Sequence, residues 1–258
     1  MSNIDKPIKF KYHYLLCYLA YLFAITELGR VYPKTYFYFG IIQTFLFILY
    51  SKDMGPFGSV LKRYVVIFPI HQLNYYNAYP ETKLLNIKII LNLFLFFNIA
   101  MVGVGELLIK RWVRKANGFL LLLTAFCTPF QLVQGTVSKS FGFKNNILWQ
   151  FNNLFLLTNM YLFSESIGNA IFPLLYSITI PVIMSIVTKD STFWTLHRVQ
   201  SIFTLLLIDS VFPRFHDNFH IETSEIKKQI GFLEKPLLLF SLFPTGLMVF
   251  NKMKKIIN

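Results

Sequence analysis

Charge is what this sequence most lacks. Only 14% of its 258 residues are Asp, Glu, Lys or Arg, against about 25% in a typical soluble domain. Hydrophobic residues supply 55% and aromatics 18%, including 29 phenylalanines. A water-soluble chain of this composition could not cover its surface with polar groups, whereas a bilayer favours apolar side chains on the outside. Cysteine is scarce too. Cys17 and Cys127 lie in apolar runs and no CxxC occurs, which excludes a zinc ribbon or a thioredoxin-type site; both read as small buried residues. Five histidines are too few for the histidine-rich di-iron sites of membrane desaturases and hydroxylases. GxSxG, HExxH, GxGxxG, Walker A and DxD motifs are all missing, and with them the standard serine hydrolases, zinc proteases, nucleotide binders and prenyl or glycosyl transferases. Neither a low-complexity linker nor the internal repeat of many secondary transporters is visible.

What is present is a series of long charge-poor runs. They place spans at about residues 12–28, 35–51, 89–105, 116–138, 145–164, 166–188, 199–213 and 236–251. The expected fold is all-α: a polytopic transmembrane bundle of about eight spans (7–9), forming one integral membrane domain over residues 1–258. Several runs are short and need flanking residues or local bilayer thinning to span. Tyr12, Tyr36, Tyr50, Trp112, Trp149 and Trp194 stand near their ends, where amphipathic rings prefer the headgroup level. Residues 64–80 are also charge-free, but the second half is polar and contains Pro69 and His71. That segment reads as re-entrant or interfacial, because exposed backbone is costly in hydrocarbon. Met1 to Lys11 is basic and the run after it has no small-residue cleavage site, so it reads as a retained first helix.

The formal net charge is +13. The basic residues are spread through the loops without an Arg/Lys-rich arm, so the expected partners are membrane lipids, including anionic headgroups, and other membrane proteins, with no nucleic acid. Eight spans put fifteen Lys and Arg on one face and ten on the other, with both tails cytoplasmic. If residues 64–80 also span, the split is fourteen against eleven and the C-terminal tail changes face. In the eight-span arrangement Lys110 to Lys115 falls on the poorer face. Lys252, Lys254 and Lys255 read as headgroup anchors, and they match a dilysine retrieval tail only in part.

Polar groups in apolar runs are the candidates for chemistry. Thr158 and His197 occupy consecutive hydrophobic segments, and a hydroxyl beside an imidazole is a common nucleophile–base pairing. The order Leu157-Thr158-Asn159, an apolar span with Pro173 and Pro181, then Leu196-His197 loosely resembles the androgen-induced membrane hydrolases. That likeness implies an intramembrane Thr and His as the catalytic pair. It covers residues 145–215 at most, its interval of 39 residues is shorter than in that family, and the flanking motifs differ. Asn152, Asn159 and Asp209 are candidate substrate- or lipid-lining residues, with Asn152 or Asn159 as an oxyanion donor; helix-to-helix hydrogen bonding also explains the asparagines. His216 and His220, four apart, suit a metal if helical, though a polar loop explains them too; no cofactor is expected. Glu27, Glu106 and Glu165 stand near span ends and read as interfacial. Three functions follow: a lipid-associated scaffolding or accessory component of an internal membrane such as the endoplasmic reticulum, an intramembrane Thr/His lipid-modifying enzyme, or a transporter using Asp209. Whether the chain is an enzyme stays open.

Overall fold

A computed structural model describes residues 12–50, 57–81, 87–128, 131–144, 146–163, 171–212, 215 and 228–257. Among them are nine α-helices: α1 (Tyr12–Val31), α2 (Pro33–Tyr50), α3 (Phe57–Ala78), α4 (Ile87–Leu107), α5 (Trp112–Phe126), α6 (Ile147–Phe163), α7 (Ile171–Thr188), α8 (Thr192–Val211) and α9 (Glu234–Ile257). A hairpin of β1 (Leu132–Gln134) and β2 (Phe141–Phe143) lies between α5 and α6. Four helical stretches are long and apolar enough to cross a bilayer: His13–Val31, Ile89–Leu107, Ile171–Thr188 and Lys228–Ile257. The all-α class therefore holds, and each of the eight expected runs contains a helix.

Helix α8 begins at Thr192 and not near residue 199, and two further segments differ from the sequence reading. The run 116–138 is not one span: its helix stops at Phe126, and Leu132–Gln134 pairs antiparallel with Phe141–Phe143. Absence of charge cannot separate a buried strand from a buried helix, which is why the run read as continuous. Residues 64–78 belong to the 22-residue α3, which continues through Pro69 and packs on α2, α4 and α8; the expected re-entrant break is absent there. Prolines also sit inside α7 (Pro181) and α9 (Pro244). Such prolines are tolerated where neighbouring helices satisfy the freed backbone groups. Pro33 opens α2, the first-turn position where its missing N–H has no helical partner to lose.

Consecutive helices run in opposite directions. On α2 and α3, Phe37 meets Tyr79 while Thr44 meets His71. On α5 and α6, Arg114 meets Asn159 while Thr124 meets Asn152. Helix α8 lies antiparallel to α1 as well as to α7, and α9 lies antiparallel to α6 and parallel to α5. The closest helix crossing joins α4 and α5, where glycines face each other. A Cβ on Gly118 would stand 2.5 Å from the Gly103 carbonyl oxygen, and one on Gly103 2.9 Å from that of Gly118. Small residues allow such backbone-to-backbone contact.

The bundle is apolar outside and polar within. Leu108, Val187 and Phe243 are more than 70% exposed, and Phe97, Met101 and Phe240 are well over half exposed. Asn117, Asn152, Asn159, Gln150, Gln200, Arg114 and Glu106 are buried. Soluble monomers rarely expose apolar patches beyond a few hundred Å², and they keep charge at the surface. The reversed distribution suits a hydrocarbon surround.

Candidate functional site

The buried polar residues gather in layers at the two ends of the bundle. One layer forms where α4 and α6 end and α5 and α9 begin. Arg114 donates to Glu106 Oε2 at 3.0 Å, to the Asn159 carbonyl at 3.1 Å and to the Asn159 side chain, and it stands 2.9 Å from Glu234 Oε1. Arg111 holds the other Glu234 oxygen at 2.6 Å. Asn117 donates to Glu106 at 3.2 Å and Asn159 to the Glu234 carbonyl at 2.6 Å. Two carboxylates face two guanidiniums, so the layer carries no net charge, and Arg114 is 1% exposed. Arg114 and Asn117 lie three apart on α5, which places both on one face.

Deeper in the same helices, Asn152 donates to Thr124 Oγ1 at 2.6 Å and to Thr245 Oγ1 at 2.9 Å. It thereby joins α5, α6 and α9. The asparagines selected from sequence are thus engaged with protein groups on neighbouring helices.

At the other end, the hairpin caps the start of α8. Asp190 Oδ2 accepts from the backbone N–H groups of Val137 (2.9 Å) and Ser138 (3.0 Å). Its Oδ1 accepts from the Thr192 N–H (3.0 Å) and hydroxyl (2.6 Å). Ser138 Oγ lies 2.6 Å from Thr192 Oγ1, the Phe143 N–H donates to Thr195 Oγ1 at 2.9 Å, and the Phe141 N–H donates to Asn77 Oδ1 at 2.6 Å. Burial alone would raise the Asp190 carboxyl above its ordinary value. The donors from Ser138, Thr192 and Val137 outweigh that and hold it below.

His197 lies on α8, 1% exposed. Its Nε2 is 3.2 Å from Glu27 Oε1 on α1, and Glu27 is also held by Arg30 at 2.7 Å. A carboxylate only accepts, so the imidazole hydrogen in this bond is on Nε2. The buried Nδ1 has no hydrogen-bond partner. Thr158 stands half-buried on α6 and is not hydrogen-bonded to His197. One turn beyond His197, Gln200 donates to Asn74 on α3 at 2.7 Å, and His71 bonds Thr44 of α2. Asp209 is carried by α8, but its side chain lies outside the described residues, as do Glu165, His216 and His220.

Sequence reasoning missed Arg198, Arg114, Asn117 and Glu234. Charge-free runs had been used to mark the spans, so every arginine and lysine fell by construction into a loop. The available signal was Arg198 directly after His197 at the edge of an apolar run, and the i, i+3 pairing of Arg114 with Asn117.

No protein-family model, curated protein or solved structure matches this chain.

Proposed function

We propose that this protein is a multi-pass integral membrane protein that acts as a lipid-associated scaffold or accessory component and makes or breaks no bonds. The observation that carries this reading is the use to which its polar side chains are put. Asn152, Asn159 and His197 each hydrogen-bond a neighbouring helix, as polar residues do when they act as adhesive between helices in lipid. The apolar exterior supports the membrane setting. The proposed setting is an internal membrane, the endoplasmic reticulum first. Co-fractionation with organelle markers checks the location. Comparative lipidomics of cells with and without the protein, with His197→Ala as a third sample, checks the function. An unchanged profile in all three is expected. A reciprocal change in one substrate–product pair, reproduced by His197→Ala, would overturn the reading.

A lipid hydrolase built on Thr158 and His197 is a second reading. Its one supporting feature is the Glu27–His197 pair, a carboxylate orienting an imidazole as in hydrolytic sites. Against it, no hydroxyl stands on the bare His197 Nδ1. Separate alanine changes at Thr158 and His197 would both abolish lipid turnover if this reading were right.

A further inference from the structure

A crevice between α3, α4, α6 and α8 is lined by Leu73, Leu95, Asn98, Asn153, Thr195 and Arg198, among others. Counting its mouth it contains about 690 Å³, and water-sized bodies find room over about 40 Å³ of it. Arg198 is 7% exposed. Its guanidinium donates to Ser177 Oγ at 2.6 Å and to Tyr161 Oη at 3.2 Å, both neutral. Among the described residues no carboxylate pairs with it, whereas Arg114 has two within 3.0 Å. A buried cation without a counter-ion is costly. A second group in the same lining is also unsatisfied: Asn153, 2% exposed, spends its Nδ2 on the Trp149 carbonyl, and its Oδ1 has no donor.

Resting on the lipid-associated reading above, we propose that this crevice is a binding site for a free fatty acid, with the carboxyl at Arg198 and Asn153 and the chain along the apolar wall of α4. Two demands select this ligand. Arg198 asks for an anion and Asn153 for a donor. A hydrated carboxylate meets both: its oxygens accept from the guanidinium, and a water bound to it donates to the Asn153 carbonyl oxygen. The crevice is narrow, with room for water-sized bodies over about 40 Å³, which favours one chain with a small head over a two-chain phospholipid. Leu91, Phe94, Leu95, Ile99 and Val102 of α4 offer the chain a continuous apolar wall.

The test is native mass spectrometry of the full-length protein in detergent, titrated with oleate, oleyl alcohol and oleoyl lysophosphatidate. One oleate per chain is expected, at a concentration at least tenfold below that needed for the alcohol, which has the same chain and no charge. Arg198→Lys should keep binding, Arg198→Gln should lose it at least tenfold, and Val102→Trp should block it by filling the crevice. Should Arg198→Gln fail to fold, the wild-type preference for acid over alcohol and the Val102→Trp result still decide. Equal binding of oleate and alcohol would overturn the site, and tighter binding of lysophosphatidate would overturn the carboxyl in favour of a phosphate headgroup. Recovery of oleate with a changed mass would instead sink the non-catalytic reading while leaving the site in place.

Discussion

Gly135 has less room for a side chain than Gly142, the other glycine of the hairpin. A Cβ there would stand 2.0 Å from Ser138 Oγ, 2.2 Å from Thr192 Oγ1 and 2.5 Å from Asp190 Oδ2, three atoms of the hydrogen-bonded knot that ties the hairpin to α8. Gly135→Ala is therefore expected to open the tie between hairpin and α8, costing about 1–3 kcal/mol as overpacking usually does. Faster proteolysis of the 135–140 turn would report it, and unchanged proteolysis would refute it. Asp190 sits in the same knot. Its folded pKa lies below the ordinary 3.8, so its stabilisation is complete above that value and is lost as pH falls through the lower folded value. Asp190→Asn should melt earlier than wild type at neutral pH, and the two melting curves should converge in strong acid. A constant gap between them at all pH values would show that the carboxylate charge contributes nothing. None of this knot was visible in the sequence. Asp190 is one of several acidic residues near span ends, and two of its four donors come from the hairpin, more than fifty residues away.

At the scale of elements, helices were legible and their partners were not. Apolar composition marks a helix wherever hydrocarbon or core surrounds it, so α1, α2, α4, α6 and α7 fall where the charge-free runs lie. Arginine and glutamate mislead the same logic, because a paired charge can enter the bundle. Arg114 binds α4, α6 and α9 at once through Glu106, Asn159 and Glu234. Arg114→Met should cost about 3–5 kcal/mol, the usual effect of leaving buried carboxylates without their cation. Glu106→Gln combined with Arg114→Met should recover part of that loss, since Glu234 retains Arg111. Unfolding titrations in mixed micelles check both variants; a double variant no better than the single would mean that the layer holds by packing and not by charge. The α4–α5 crossing was unreadable for a different reason. Gly103 and Gly118 look like two glycines in apolar runs until the backbones are seen in contact.

At the scale of the whole molecule, alternation of the nine helices among the described residues fixes which of their ends share a face. The start of α1 lies with the starts of α3, α5, α7 and α9, and the end of α9 lies opposite. This differs from the eight-span arrangement by a single helix, α3, and that helix moves every later loop to the other face. Lys110 to Lys115 then joins the N-terminal side, where an eight-span count had set it against the trend. If all nine described helices cross, the Lys and Arg division becomes fourteen to eleven, a small excess that predicts a cytoplasmic N-terminal side. Paired Lys and Arg weaken the rule here, because Arg114 and Arg198 are inside the bundle and do not face the headgroups. Removing those two leaves thirteen against ten, so the sign stands. The expected outcome is a chain whose ends lie on opposite faces of the membrane. Epitope tags placed before Tyr12 and after Ile257 should differ in accessibility after selective permeabilisation of the plasma membrane, the first accessible and the second protected. Tags that behave alike would mean that one of the nine helices does not cross, and α3, with Pro69 and a polar second half, is the first to examine. An acceptor site for glycosylation between residues 79 and 86 would then separate the cases, since it is modified only if α3 carries that segment to the lumenal face.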